Sequence, residues 1–135
     1  MAKYTPYEIS TGHPPDFEVE YEFIDPKLKS GERKVYPGIR WDFLYDRDIP
    51  QKDGLWMIWP EFIHENGQPN IKSDEAVKPR GIARMWILRP LMRKEVHQKR
   101  IAEGVCGYFV EGPNKMAKLK VTKIVGLFQN PVDEK

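Results

Sequence analysis

Between positions 17 and 23 the chain reads Phe-Glu-Val-Glu-Tyr-Glu-Phe, a strict alternation of apolar and acidic residues. A period of two is the signature of a half-buried strand, with Phe17, Val19, Tyr21 and Phe23 on one face and Glu18, Glu20 and Glu22 on the other. On a helix the same glutamates would be scattered around the circumference. A strand with one apolar face must bury it, so this short run commits the chain to a sheet with a core beneath it.

The rest of the pattern agrees. Ile39, Trp41, Phe43 and Tyr45 alternate with Arg40 and Asp42, giving a second strand. Residues 55–63 form a third, in which Pro60 demands a bend or an edge position. Residues 82–88, 105–110 and 116–127 supply three more, the last two joined by a tight turn at Glu111-Gly112-Pro113-Asn114. Segments 26–38, 46–54 and 64–81, rich in Gly, Pro and polar residues, read as connections. Residues 90–103 break the β pattern. Pro90 suits a first helical turn and Gly104 a stop, so a short helix is expected there. Residues 1–16, with Pro6, Gly12, Pro14 and Pro15, read as an irregular arm, 17–130 as one β domain and 131–135 as a tail. Six strands of this length close into a barrel or a small sandwich, either of which limits exposed edges.

Composition narrows the class. The 135 residues fit one domain, and 40% apolar with 12% aromatic content is too rich for a disordered chain. No apolar run approaches ~18 residues, so no membrane span is expected. The opening Met-Ala-Lys-Tyr-Thr-Pro-Tyr lacks the apolar stretch of a secretory signal. The lone Cys106 forms no internal disulfide, and a cytoplasmic location is expected.

Gly104, Phe109, Glu111-Gly112, Val121, Lys123 and Gly126 resemble the closing hairpin of the third domain of bacterial elongation factor Tu. Upstream, Gly31-Glu32-Arg33 and Ile39-Arg40-Trp41-Asp42-Phe43 are similar to the Gly-Gly-Arg loop and Tyr-Arg-Pro-Gln-Phe strand of that family. Ile101-Ala102-Glu103-Gly104 stands where the family also leads into its final hairpin. The resemblance runs from about Phe17 to Gly126. It implies an all-β, six-stranded Greek-key β-barrel, here a stand-alone chain with one short helix near 90–103. It also implies a role in contacting RNA or proteins. No Gly-x-x-x-x-Gly-Lys-Ser/Thr is present, so the chain carries no P-loop of its own.

Specific catalytic motifs are missing from the sequence. His13, His64 and His97 are too dispersed for a metal-ligand spacing, and no metal or cofactor is expected. Asp46, Asp48 and Asp53 share one turn but lack the glutamate of a calcium loop. Cys106, between Val105 and Gly107, reads as a small buried hydrophobe. Glu18, Glu20 and Glu22 are matched by Lys118 and Lys120 on the last strand. We expect the two ladders to lie side by side at the closure of the barrel, setting register.

Charge is unevenly spread. Lys78, Arg80, Arg84, Arg89, Arg93, Lys94, Lys99 and Arg100 are opposed within 78–100 by Glu95 alone, a net +7 that leaves the remainder of this +2 chain at −5. Either these cations meet an acidic partner or they neutralise the chain's own Glu61, Glu65, Asp74 and Glu75. Alternation also places Trp86 and Trp56 off the inner face. They lie either beneath the 90–103 helix or the 64–81 loop, or in an exposed patch of the kind enriched at interfaces.

The functional expectation is therefore a non-catalytic binding module. Arg84, Arg89, Arg93, Lys94 and Arg100 would meet carboxylates or phosphates, and Trp86 and Trp56 would serve as apolar anchors. The partner expected is a protein, with structured RNA or a second copy of the chain as alternatives. The competing class is a small enzyme or ligand-binding barrel, its pocket lined by the Asp46–Asp53 turn and His64.

Overall fold

A computed structural model describes residues 5–133. Six antiparallel strands form one curled sheet: β1 (Phe17–Phe23), β2 (Asp42–Tyr45), β3 (Ile58–Ile63), β4 (Arg80–Ile87), β5 (Cys106–Glu111) and β6 (Asn114–Ile124), in the spatial order β2-β5-β6-β1-β4-β3. β1 occupies the bounds its alternation marked, with Phe17, Val19, Tyr21 and Phe23 buried. The other strands fall within or close to their expected segments. β2 starts later, at Asp42, because Pro37-Gly38 holds the preceding residues in a turn.

The sheet curls into a half-barrel. Its two edge strands approach at a single bridge, where Phe43 N–H donates to Trp56 O at 2.8 Å and Trp56 N–H returns to Phe43 O at 3.0 Å. Pro60 lies in β3, an edge strand, where a missing N–H is tolerated. The concave face is filled by side chains. Trp41 packs between Phe23 and Phe109, with ring centroids 6.0 and 5.5 Å away, and Phe62 continues the stack toward Tyr21. Gly107 is required in this layer, because a Cβ there would stand 2.6 Å from Leu44 O.

The expected charge ladder is present in the register: Glu20 lies opposite Lys120 and Glu22 opposite Lys118, whose Nζ is 3.4 Å from Glu22 Oε1. Its location differs from expectation. β1 and β6 are the two central strands, so the ladder holds the middle of the sheet and the edges meet elsewhere.

The arm and loops are more ordered than their composition implied. Residues 1–4 lie outside the described residues, but Tyr7–Thr11 form a helical turn closed by Gly12 in the left-handed region. Short helices also occupy Pro26–Ser30, capped by Asp25, and Pro50–Asp53. The helix after β4 runs from Pro90–Met92 through a π-helical turn, Arg93–His97, into Gln98–Arg100. It ends earlier than expected, at Arg100, because Ile101 is extended and buries its side chain in the core. No helix among the described residues is long and apolar enough to cross a membrane.

Candidate functional site

The π turn decides where the central cations go. Widening the helix by one residue per turn re-aims its side chains, a device common at functional sites. Here it turns both Arg93 and His97 inward, each only 1% exposed. Arg93 meets Asp16, the last residue before β1: Nε donates to Oδ1 at 2.6 Å and Nη2 to Oδ2 at 3.2 Å. Nη2 also donates to Ile87 O at 2.8 Å, and Nη1 to Pro131 O. Asp16 is completely buried and accepts further bonds from Ile87 N–H at 2.8 Å and Asn130 Nδ2 at 3.0 Å. This network ties the arm, the end of β4, the helix and the C-terminal segment to one carboxylate.

Arg93 is thus a structural residue, and the expectation that it meets a partner is corrected. Trp86 needs the same correction. It is 1% exposed, with its indole Nε1 donating to His13 O at 3.2 Å and Tyr7 packed edge-on at 5.6 Å. Its cover is the N-terminal arm, which neither the 90–103 helix nor the 64–81 loop supplies. The arm is held there by Tyr7 N–H donating to Glu61 Oε2 at 3.0 Å.

Two more of the named arginines are engaged within the fold. Arg84 lies 3.7 Å from Glu18 Oε2 and donates to Gly67 O at 3.2 Å. Arg100 forms a two-pronged pair with Asp48, both bonds 2.9 Å, and its guanidinium lies 3.7 Å above the Tyr45 ring. Lys94 is exposed on the outer side of the helix.

Trp56 and Arg89 are brought together. They line a cavity of about 170 Å³ with Leu55, Met57, Ile87, Met92 and His97. His97 Nδ1 lies 2.6 Å from Tyr45 Oη, and the His97 ring stands edge-on to Trp56 with centroids 5.0 Å apart. Burial, reinforced by the positive fields of Arg100 and Arg93, pushes His97 down to about 4, so it is neutral at physiological pH. Burial raises the Tyr45 hydroxyl above its ordinary value, keeping it protonated. Trp56 Nε1 is buried without a hydrogen-bond partner, alone in this respect among side-chain nitrogens and oxygens of the described residues. Sequence reasoning considered His97 only as a metal ligand and missed Tyr45. No local signal links two residues 52 positions apart.

The Asp46–Asp53 turn and His64 do not assemble into one pocket. Asp46 borders a shallow groove of about 750 Å³ across the outer face of β4, β1, β6 and β5. His64 lines a separate hollow, its Nε2 3.7 Å from Glu75 Oε2. The groove is flanked by Lys118, Lys120 and Arg80 on one side of the balance and Glu20, Glu22 and Asp46 on the other, which leaves it neutral. Cys106 lies at its edge and is exposed, correcting the expectation of a buried thiol; as the first residue of β5 it points outward. No group of three His, Cys, Asp or Glu side chains among the described residues is arranged to hold a metal ion. Searches of protein-family models and of curated proteins find nothing that matches this chain.

Proposed function

We propose that this chain is a non-catalytic docking module, a Greek-key β-barrel of the type found as the third domain of elongation factor Tu, and that it engages an acidic protein surface. The observation that carries this reading is the composition of the helix's outer side. Lys94 and Lys99 are exposed there and form no ion pair among the described residues. Leu91, 40% exposed, stands one helical turn before Lys94, and Met57, 45% exposed, lines a cavity at the start of the helix with Arg89. Cations around exposed apolar anchors suit a partner that presents carboxylates around a greasy centre.

Kinship with the elongation factor domain is supported by a clamp between two of the motif segments. Arg33, in the Gly31-Glu32-Arg33 loop, donates from Nη1 and Nη2 to the two oxygens of Glu111, each at 2.7 Å. Trp41 Nε1 adds a bond to Glu111 Oε2 at 3.1 Å. The Arg33 bonds hold the Glu111 carboxyl below its ordinary range. The loop and the final turn are therefore held together as one unit.

The test is affinity purification of the full chain from its native cell, with and without RNase, beside a Lys94→Glu/Lys99→Glu variant. The reading requires a stoichiometric protein that survives RNase, cross-links to the helix, and is lost on charge reversal. A catch that disappears with RNase identifies RNA instead, and self-association alone identifies a homodimer. A catch indifferent to the charge reversal overturns the proposed surface.

A further inference from the structure

We propose that Asn66 is a site of spontaneous covalent modification, where the side-chain amide is lost through a cyclic imide with Gly67 and a carboxylate takes its place. Residues 65–68 are all exposed, in the turn that follows β3. Backbone bonds close this turn, from His64 N–H to Gln68 O at 2.8 Å and from Gly67 N–H to His64 O at 2.9 Å. Asn66 folds back within it, its Oδ1 accepting from Gln68 N–H at 2.9 Å. A bond of this kind, to the backbone two residues on, lays the carboxamide along the intervening peptide unit. The nitrogen of that unit is Gly67 N.

The electrophile is Asn66 Cγ, and the Gln68 N–H bonded to Oδ1 is a donor on the oxygen where negative charge develops during attack. The nucleophile is Gly67 N, and glycine adds no side chain to crowd the closing ring. A solvent base takes the Gly67 amide proton and the nitrogen bonds to Cγ. The Cγ–Nδ2 bond then breaks, and Nδ2 leaves as ammonia with a proton from solvent. Water adds next to one of the two ring carbonyls and cleaves its C–N bond. Attack at Cγ leaves aspartate, and attack at the main-chain carbonyl leaves isoaspartate. One restraint opposes the reaction, since the Gly67 N–H must first leave His64 O. Giving up one such bond slows the folded chain by roughly two- to thirteenfold relative to a free peptide.

The other three asparagines each lack part of this arrangement. Asn70 is buried and precedes Ile71, whose β-branched side chain crowds the approach. Asn130 is buried and precedes Pro131, which has no amide proton to lose. Asn114 is exposed, but the nitrogen after it belongs to Lys115, held in register with β5. The product changes its surroundings. The new carboxylate adds a negative charge beside the hollow that Gly67, His64, Glu75 and Arg84 line. Gly67 O accepts from Arg84 Nη2 at 3.2 Å, so isoaspartate, which lengthens the main chain by one carbon, displaces that bond and loosens the rim.

The experiment incubates the folded full chain in mildly alkaline buffer beside the free peptide His-Glu-Asn-Gly-Gln-Pro. Both are followed by mass spectrometry, the chain after digestion at acid pH, with released ammonia measured in parallel. Asn66 should become about one dalton heavier and resolve into two products of equal mass, aspartate and isoaspartate. Its half-time should be no more than roughly thirteen times that of the peptide. Asn70, Asn114 and Asn130 should stay unchanged over the same interval. Asn66→Gln, which would have to close a six-membered ring, should show no conversion in this segment. Gly67→Ala, which puts a methyl group beside the attacking nitrogen, should slow conversion in peptide and chain alike. An unaltered Asn66 at the end of that interval, conversion spread evenly over the four asparagines, or a mass gain in the segment that persists in Asn66→Gln overturns the proposal. The incubation needs no partner and leaves Lys94 and Lys99 unchanged, so its failure is distinct from failure of the docking reading.

Discussion

Replacing Asp16 by alanine tests the central network of this fold. In the wild-type chain Asp16 is fully buried and accepts four hydrogen bonds, two from Arg93 and one each from Ile87 and Asn130. Asp16→Ala leaves the guanidinium enclosed with the Ile87 and Pro131 carbonyls but with no counter-charge. Removing one partner of a buried ion pair costs about 3–5 kcal/mol. Against a total stability of about 5–15 kcal/mol this is a large fraction. With a urea dependence of about 2 kcal/mol per molar, the unfolding midpoint should fall by about 2 M. Tryptophan fluorescence in urea measures it directly. The double variant Asp16→Ala/Arg93→Met should recover much of the loss, since it removes the stranded charge and keeps an apolar side chain of comparable length. An Asp16→Ala chain within about 1 kcal/mol of wild type would refute the reasoning. A double variant as unstable as the single would show that the other bonds of Asp16, rather than the stranded charge, carry the cost.

Two further outcomes follow from the core. His97 is held at about 4 in the fold against 6.5 when free, so between these values the unfolded chain takes up a proton that the folded chain refuses. Stability is therefore fully present above pH 6.5 and lost on acidification, by about 3 kcal/mol once the pH is below 4. Urea unfolding across that window should show the loss in wild type and a flatter dependence in His97→Gln; identical slopes would remove His97 from the account. Gly107→Ala places a methyl group 2.6 Å from Leu44 O and 2.9 Å from Phe43 Cζ, where backbone cannot yield cheaply. Overpacking of this kind costs about 1–3 kcal/mol, seen as a lowered melting temperature by circular dichroism, and an unshifted melt would contradict the packing of β5 on β2.

What was legible from sequence was whatever depended on near neighbours. The alternation of Phe17, Val19, Tyr21 and Phe23 marked a strand because burial on one face imposes a period of two, and opposed charges at 18–22 and 118–120 marked its neighbour. Pro60 and Pro90 marked an edge and a helix start by their backbone restrictions alone. The roles of the cations were not legible. Arg93 and Lys94 are adjacent and alike in charge, yet one is buried against a carboxylate 77 positions away and the other is exposed. Which one turns inward depends on the π turn, a local widening that no residue in the segment announces. The covering of Trp86 was hidden for a similar reason, since the arm that supplies Tyr7 and His13 has no apolar periodicity of its own. The cavity that brings Trp56, Arg89 and His97 together is likewise a property of the assembled fold alone.

The bridge at Phe43 and Trp56 has a consequence for this indole. Trp56 contributes its backbone to the single seam joining the sheet's two rims and its ring to the wall of the cavity. The two backbone bonds of that seam therefore also anchor the residue whose ring closes one side of the cavity, so loss of the seam would free both together.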